Sequence, residues 1–225
     1  MSKKLKYLGG LSAIAEAITY ILGFILFFGV LDTSGITSAQ ERLQFFINNR
    51  DIYILGYFII GIAFSFILII LVQSIDQYFK SHAPYLMKFV SGVGYTWSVL
   101  VMASSLIFIS SLEILETYFL EDPSQALIIH RTTNVIVDAL GGGIEIVGAI
   151  WVLTISFVGL TVRKFSAWLH YLGILVGLAG TLTLLSSLSY FSQSTFFQST
   201  QAIFGLGQIV WFVWLGISFL TRKEI

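Results

Sequence analysis

Apolar residues fill six long stretches of this chain, at about residues 8–31, 52–75, 86–111, 131–161, 167–190 and 201–220, and polar residues collect between them. The runs are continuous rather than alternating, which disfavours a β-barrel. A hydrocarbon core of about 30 Å needs about 20 apolar residues in a helix. Backbone groups in lipid must also pair within their own segment. The pattern therefore predicts an all-α, polytopic membrane bundle of six transmembrane helices, with residues 1–225 forming one domain.

The polar intervals carry their own signals. Residues 76–85 and 162–166 are short turns that force antiparallel neighbours. Pro84 suits the first turn of the third span. In the longer interval 32–51, Ser38 followed by Glu41 reads as a capping box. Leu43, Phe46 and Ile47 then share a helical face, which predicts a short amphipathic helix in the first outer loop, lying on the membrane surface. Asp122-Pro123 reads as an N-cap followed by proline at the first helical position. A helix running unbroken from there to about 161 would outrun the bilayer, so it must tilt, kink or protrude.

Composition sharpens this reading. The chain is 56% apolar and only 11% charged, and its twelve basic and twelve acidic residues cancel. A soluble domain keeps roughly a quarter of its residues charged. These figures speak against a soluble enzyme, a disordered chain and a nucleic-acid partner. The absence of cysteine excludes disulfides, thiolate metal sites and thiol nucleophiles. Glu16 and the length of the first stretch fit a retained span rather than a cleaved signal. With six spans both termini share a side, which holds Lys3, Lys4, Lys6, Lys80, Lys88, Arg163, Lys164, Arg222 and Lys223, against Arg42, Arg50 and Arg131 on the other. The bias places both termini in the cytoplasm.

The informative chemistry is three carboxylates within spans. Glu16 falls about 12 Å from the cytoplasmic edge of span one and Glu145 about 10 Å from that edge of span four, at a rise of 1.5 Å per residue. Asp138 lies nearer the outside. On an unbroken helix Asp138 and Glu145 sit only about 20° apart, and His130, Asn134, Asp138, Gly141, Glu145 and Gly148 share an arc of about 80°. Ser12, Glu16, Tyr20 and Gly23 form a shorter stripe on span one. A charged acid at the bilayer centre costs at least about 3 kcal/mol, so these faces should look inward. The candidate intramembrane polar site is Glu16, Asn134, Asp138, Glu145 and Gln208, the last taken as level with Asp138. The same acids could instead serve only as hydrogen-bonded packing residues.

Gly141-Gly142-Gly143 admits two readings. It could unwind span four near the acids, or it could allow close packing through small residues, which is the reading we favour here. Gly173, Gly177 and Gly180 read as packing alone. His130 reads as an outer-interface residue bonding Glu116 or Asp122, Arg131 as an interfacial anchor, Trp168 as part of an aromatic belt and Trp97 as lining the bundle. No catalytic, metal-ligating or cofactor-binding set can be assembled, and no cofactor is implied.

The run 141–153 (GGGIEIVGAIWVL) resembles a stretch found in a family of uncharacterised bacterial six-span integral membrane proteins, a domain of unknown function. The runs 165–177 (FSAWLHYLGILVG) and 204–216 (FGLGQIVWFVWLG) are similar to that family as well. The resemblance implies a multi-pass protein of the bacterial cytoplasmic membrane and no mechanism. Glu145 and Gln208 are the motif positions with polar chemistry.

Three functions follow in order. The first is small-solute or proton-linked transport or binding in a cavity lined by the carboxylates. The second is a non-catalytic membrane partner subunit or sensor, with oligomerisation left open. The third is an intramembrane enzyme acting on lipid or quinone, for which no nucleophile or cofactor site is found.

Overall fold

A computed structural model of the chain describes residues 3–142, 145–186, 188–191 and 194–221. Those residues are overwhelmingly helical, and six helices are long and apolar enough to cross a membrane. The chain has the character of a multi-pass membrane protein. The first span is α1 (Lys3–Phe24), which widens into a π-helical turn at Ile25–Val30. A short helix α2 (Ala39–Asn48) precedes the second span, which is α3 (Arg50–Tyr57), a π-turn at Phe58–Ala63, and α4 (Phe64–Phe79). The third span is the 38-residue α5 (Pro84–Glu121), with Pro84 in its first turn as the sequence suggests. The fourth consists of α6 (Pro123–Val137), a break at Asp138–Gly142 and α7 (Ile146–Thr161). The fifth and sixth are α8 (Ala167–Ser186) and α9 (Thr195–Thr221).

The spans close into a ring in chain order. α1 packs on α4, α4 on α5, α5 on α7, α7 on α8, α8 on α9, and α9 returns to α1. Closure depends on small residues where backbones approach. A Cβ on Gly216 would lie 2.8 Å from the Gly10 carbonyl oxygen, and one on Gly10 would lie 3.1 Å from the Gly216 carbonyl oxygen. Between α7 and α8, a Cβ on Gly177 would meet the Ala149 carbonyl oxygen at 2.9 Å. Small residues that let backbones approach are a common basis of helix association in lipid. Outside the ring, Phe66, Val99, Phe157, Leu175 and Val210 are exposed, the apolar exterior that suits a bilayer.

Two apolar cores result. The main one fills the ring, and a second gathers Leu43 and Phe46 of α2 with Phe108, Leu112 and Leu115 of α5 and Ala126 of α6. The apolar face of α2 is therefore buried against α5 and α6 instead of lying on a lipid surface. Ser38 caps α2 by accepting from the Glu41 N–H at 3.4 Å. Asp122 caps α6, accepting from the backbone N–H groups of Ser124 and Gln125. The Ser124 hydroxyl, then its N–H, hold the Asp122 carboxyl below its usual range near 3.8.

The fourth span corrects the favoured sequence reading. Gly141 has φ 140° and ψ 8°, outside any helix, so α6 and α7 are separate helices rather than one. Only glycine adopts such a conformation without strain. Gly143, the last of the triplet, lies outside the described residues. The single polar face expected along an unbroken span four therefore does not exist.

Candidate functional site

The break in span four decides where its acids go. Glu145 stands at the N-cap of α7 (φ −85°, ψ 21°) and makes no side-chain capping bond. Its backbone N–H donates to Thr183 Oγ1 at 3.2 Å, which satisfies one of the donors freed at the start of the helix. The Thr183 hydroxyl in turn donates to the Gly180 carbonyl. With its backbone held by α8, the half-buried Glu145 side chain forms part of the wall of a cavity of about 490 Å³.

The cavity occupies the half of the ring remote from the chain ends. α1 and its π-turn supply Thr19, Tyr20, Gly23, Phe24, Phe27 and Phe28. Beside them stand Ile60 and Phe64, then Trp97 and Val101 of α5. Gln201, Ala202 and Gly205 of α9 complete the wall beside Gly141 and Glu145. Both π-turns contribute to it, through Phe27 and Ile60, and the break in span four contributes Gly141. Such turns often accompany functional sites, because the extra residue re-aims side chains.

Beneath the cavity runs a closed circuit of aromatic rings. Tyr20 meets Phe64 at 5.8 Å between centroids, Phe64 meets Trp97 at 5.3 Å, and Trp97 meets Trp151 at 5.7 Å. Trp151 meets Trp211 at 6.0 Å, Trp211 meets Phe212 at 5.3 Å, and Phe212 returns to Tyr20 at 6.2 Å. Glycines make room for two of the indoles: a Cβ on Gly148 would lie 2.6 Å from the Trp97 ring, and one on Gly94 would lie 2.5 Å from Trp151 Nε1.

Glu16 is fully buried, and among the described residues neither carboxyl oxygen has a hydrogen-bond partner. Tyr20, one turn further along α1, lies within electrostatic reach of both Glu16 and Glu145. These two acids are thus the ones the fold brings toward one interior. Asp138 is separated from them. It is exposed and borders a second cavity of about 220 Å³, together with Tyr57 and Ser104. The two cavities share Phe27, Ile60, Val101 and Gly141 in their walls.

Asn134 reaches neither cavity; its side chain bonds His130 Nε2 at 3.2 Å. His130 packs on Phe46, with centroids 4.8 Å apart, and does not bond Glu116 or Asp122. Glu116 instead pairs with Arg50 at 2.9 Å, the one ion pair among the described residues. Arg131 is exposed and makes no ion pair with Asp138. Gln208 is fully buried with both polar side-chain atoms unpartnered, lines neither cavity and makes no bond to Asp138. Among the described residues no three acids or histidines converge as a metal site would require.

Phe64, Thr19 and Gln201 were not singled out from the sequence. Their types carry no local mark, and only the arrangement of the ring brings them to Glu145.

Comparison with protein-family models, curated proteins and solved structures found no match.

Proposed function

We propose that this chain is a multi-pass protein of the bacterial cytoplasmic membrane, with both termini cytoplasmic, that binds or transports a small solute with proton linkage in the cavity walled by Glu145. The positive residues on the terminal side support the orientation. The similarity of its glycine-rich runs to a six-span family is the basis for the bacterial assignment. The observation that carries the functional reading is an ionisable side chain, free of any capping bond or ion pair among the described residues, in the wall of a cavity of about 490 Å³. Such a volume lies within the range of roughly 300–1,000 Å³ typical of small-molecule sites.

Glu16 extends the reading to protons. A buried carboxyl without hydrogen bond or counter-charge carries a large penalty when ionised. Tyr20 lies within electrostatic reach of both Glu16 and Glu145, so a change of charge at Glu145 bears on the charge that Glu16 can carry. Sealed from the cavity, Glu16 alone would also suit the alternative of a non-catalytic partner subunit or sensor. Glu145, with a cavity before it, favours binding.

The lack of native cysteine makes a direct test simple. A Thr19→Cys protein in proteoliposomes is expected to react with a small water-soluble methanethiosulfonate reagent. Glu145→Gln is expected to remove an acid-dependent carboxyl band from difference infrared spectra, with helix content unchanged. An unreactive T19C, or an unaltered band in E145Q, would sink the proposal.

A further inference from the structure

The chemistry of the same cavity narrows its occupant, on the assumption that the reading above is right. We propose that it takes a lipophilic organic cation, with Glu145 as counter-ion and the rings of Tyr20, Phe24 and Phe27, only partly buried in the cavity wall, as its cation–π surface.

Volume is the first argument. A water molecule takes about 30 Å³, so a cavity of about 490 Å³ is far larger than a proton path or a bare metal ion requires. The occupant is a molecule. Charge is the second. Among the described residues Glu145 is the sole carboxylate in the wall, and no lysine, arginine or histidine stands there to receive an anion. Glu145 also occupies the N-cap of a sixteen-residue helix without turning back to cap it, so its carboxyl is left for a ligand.

The third argument is the character of the apolar wall. Six of the fifteen lining residues are aromatic. An acyl chain would be served as well by aliphatic side chains. Rings present negative faces that attract a cation, most strongly when water is excluded. Tyr20 is held from behind by Phe64, with centroids 5.8 Å apart, Phe24 stacks on Phe28 at 5.5 Å, and Phe27 meets Tyr57 at 5.6 Å. Their positions are set by their neighbours before any ligand arrives, and preorganised rings lose little entropy on binding. Access is the fourth. Phe28, at the cavity edge, is 74% exposed on an apolar exterior, so a solute dissolved in the bilayer can enter past it.

Tetraphenylphosphonium and tetraphenylborate have the same shape and opposite charge, and they provide the test. The full chain in nanodiscs is expected to bind the phosphonium saturably and to bind the borate at least tenfold more weakly. Glu145→Gln should weaken phosphonium binding by roughly thirtyfold, the loss of one desolvated charge interaction. Glu145→Asp should retain it, which guards against a folding defect in the glutamine variant. Phe24→Leu should weaken binding, and Phe24→Tyr should largely preserve it. Equal binding of both ions, unaffected by E145Q, would overturn the cation assignment. So would absence of phosphonium binding by a protein whose T19C variant still reacts with the thiol reagent, and in that case solute binding in the cavity would survive. An unreactive T19C would remove both.

Discussion

At the residue scale, the polar groups of the spans divide into those that hold helices together and those that do not. Ser65 and Ser98 belong to the first set. Each hydroxyl donates to the other residue's carbonyl, at 2.9 and 2.8 Å, and both residues are fully buried between α4 and α5. Such interhelical bonds average about 0.6 kcal/mol in membrane proteins. Ser65→Ala or Ser98→Ala is therefore expected to lower the thermal midpoint in detergent modestly. The double variant should lose close to the sum, because the two bonds are separate. An unchanged midpoint would mean that the pair contributes nothing. Glu16 and Gln208 belong to the second set, buried without partners. Nothing about a glutamate or glutamine in an apolar run distinguishes a bonded from an unbonded one. Their depth was legible in the chain, and their isolation was not.

At the scale of elements, local rules account for the helix ends and fail at the break. Asp122-Pro123 opens α6 as its residue types dictate, since a carboxylate accepts the freed N–H groups and proline lacks one. Because the Asp122 carboxyl is held below its ordinary value, its contribution is present at neutral pH and lost as pH falls through the lowered value. Asp122→Ala is expected to lower the thermal midpoint at pH 7, and the difference from the parent should shrink well below pH 4. A difference that does not vary with pH would refute the charged cap. Gly141 is the opposite case. A glycine triplet within an apolar run is compatible with a packed helix or a broken one, and the competing backbone states differ by little. The break at φ 140° detaches Glu145 from the face of Asp138 and sends the two acids to different cavities.

At the scale of the whole molecule, the closed ring creates the cavity. α1 and α9 supply walls from opposite ends of the chain, and they meet at Gly10 and Gly216. A side chain on Gly216 would press on a backbone carbonyl and on Ile14, neither of which yields easily. Gly216→Ala is expected to cost about 1–3 kcal/mol, a typical overpacking penalty. Loosened closure should also weaken ligand binding in the distant cavity. Unaltered stability together with unaltered phosphonium affinity would show that the α1–α9 seam is not needed to shape the site.

The number of spans, the positions of the turns, the caps at Ser38 and Asp122 and the inward demand on buried acids were all determined by the chain alone. Each depends on hydropathy or on groups a few residues apart. The order of helices around the ring, the aromatic circuit, the burial of α2 against α5 and α6, and the placing of Glu145 and Asp138 at different cavities were decided by tertiary structure. Those contacts depend on how each helix is rotated and where one of them breaks. Rotation and breakage are set by side chains on other spans, at distances along the chain where no local period carries information.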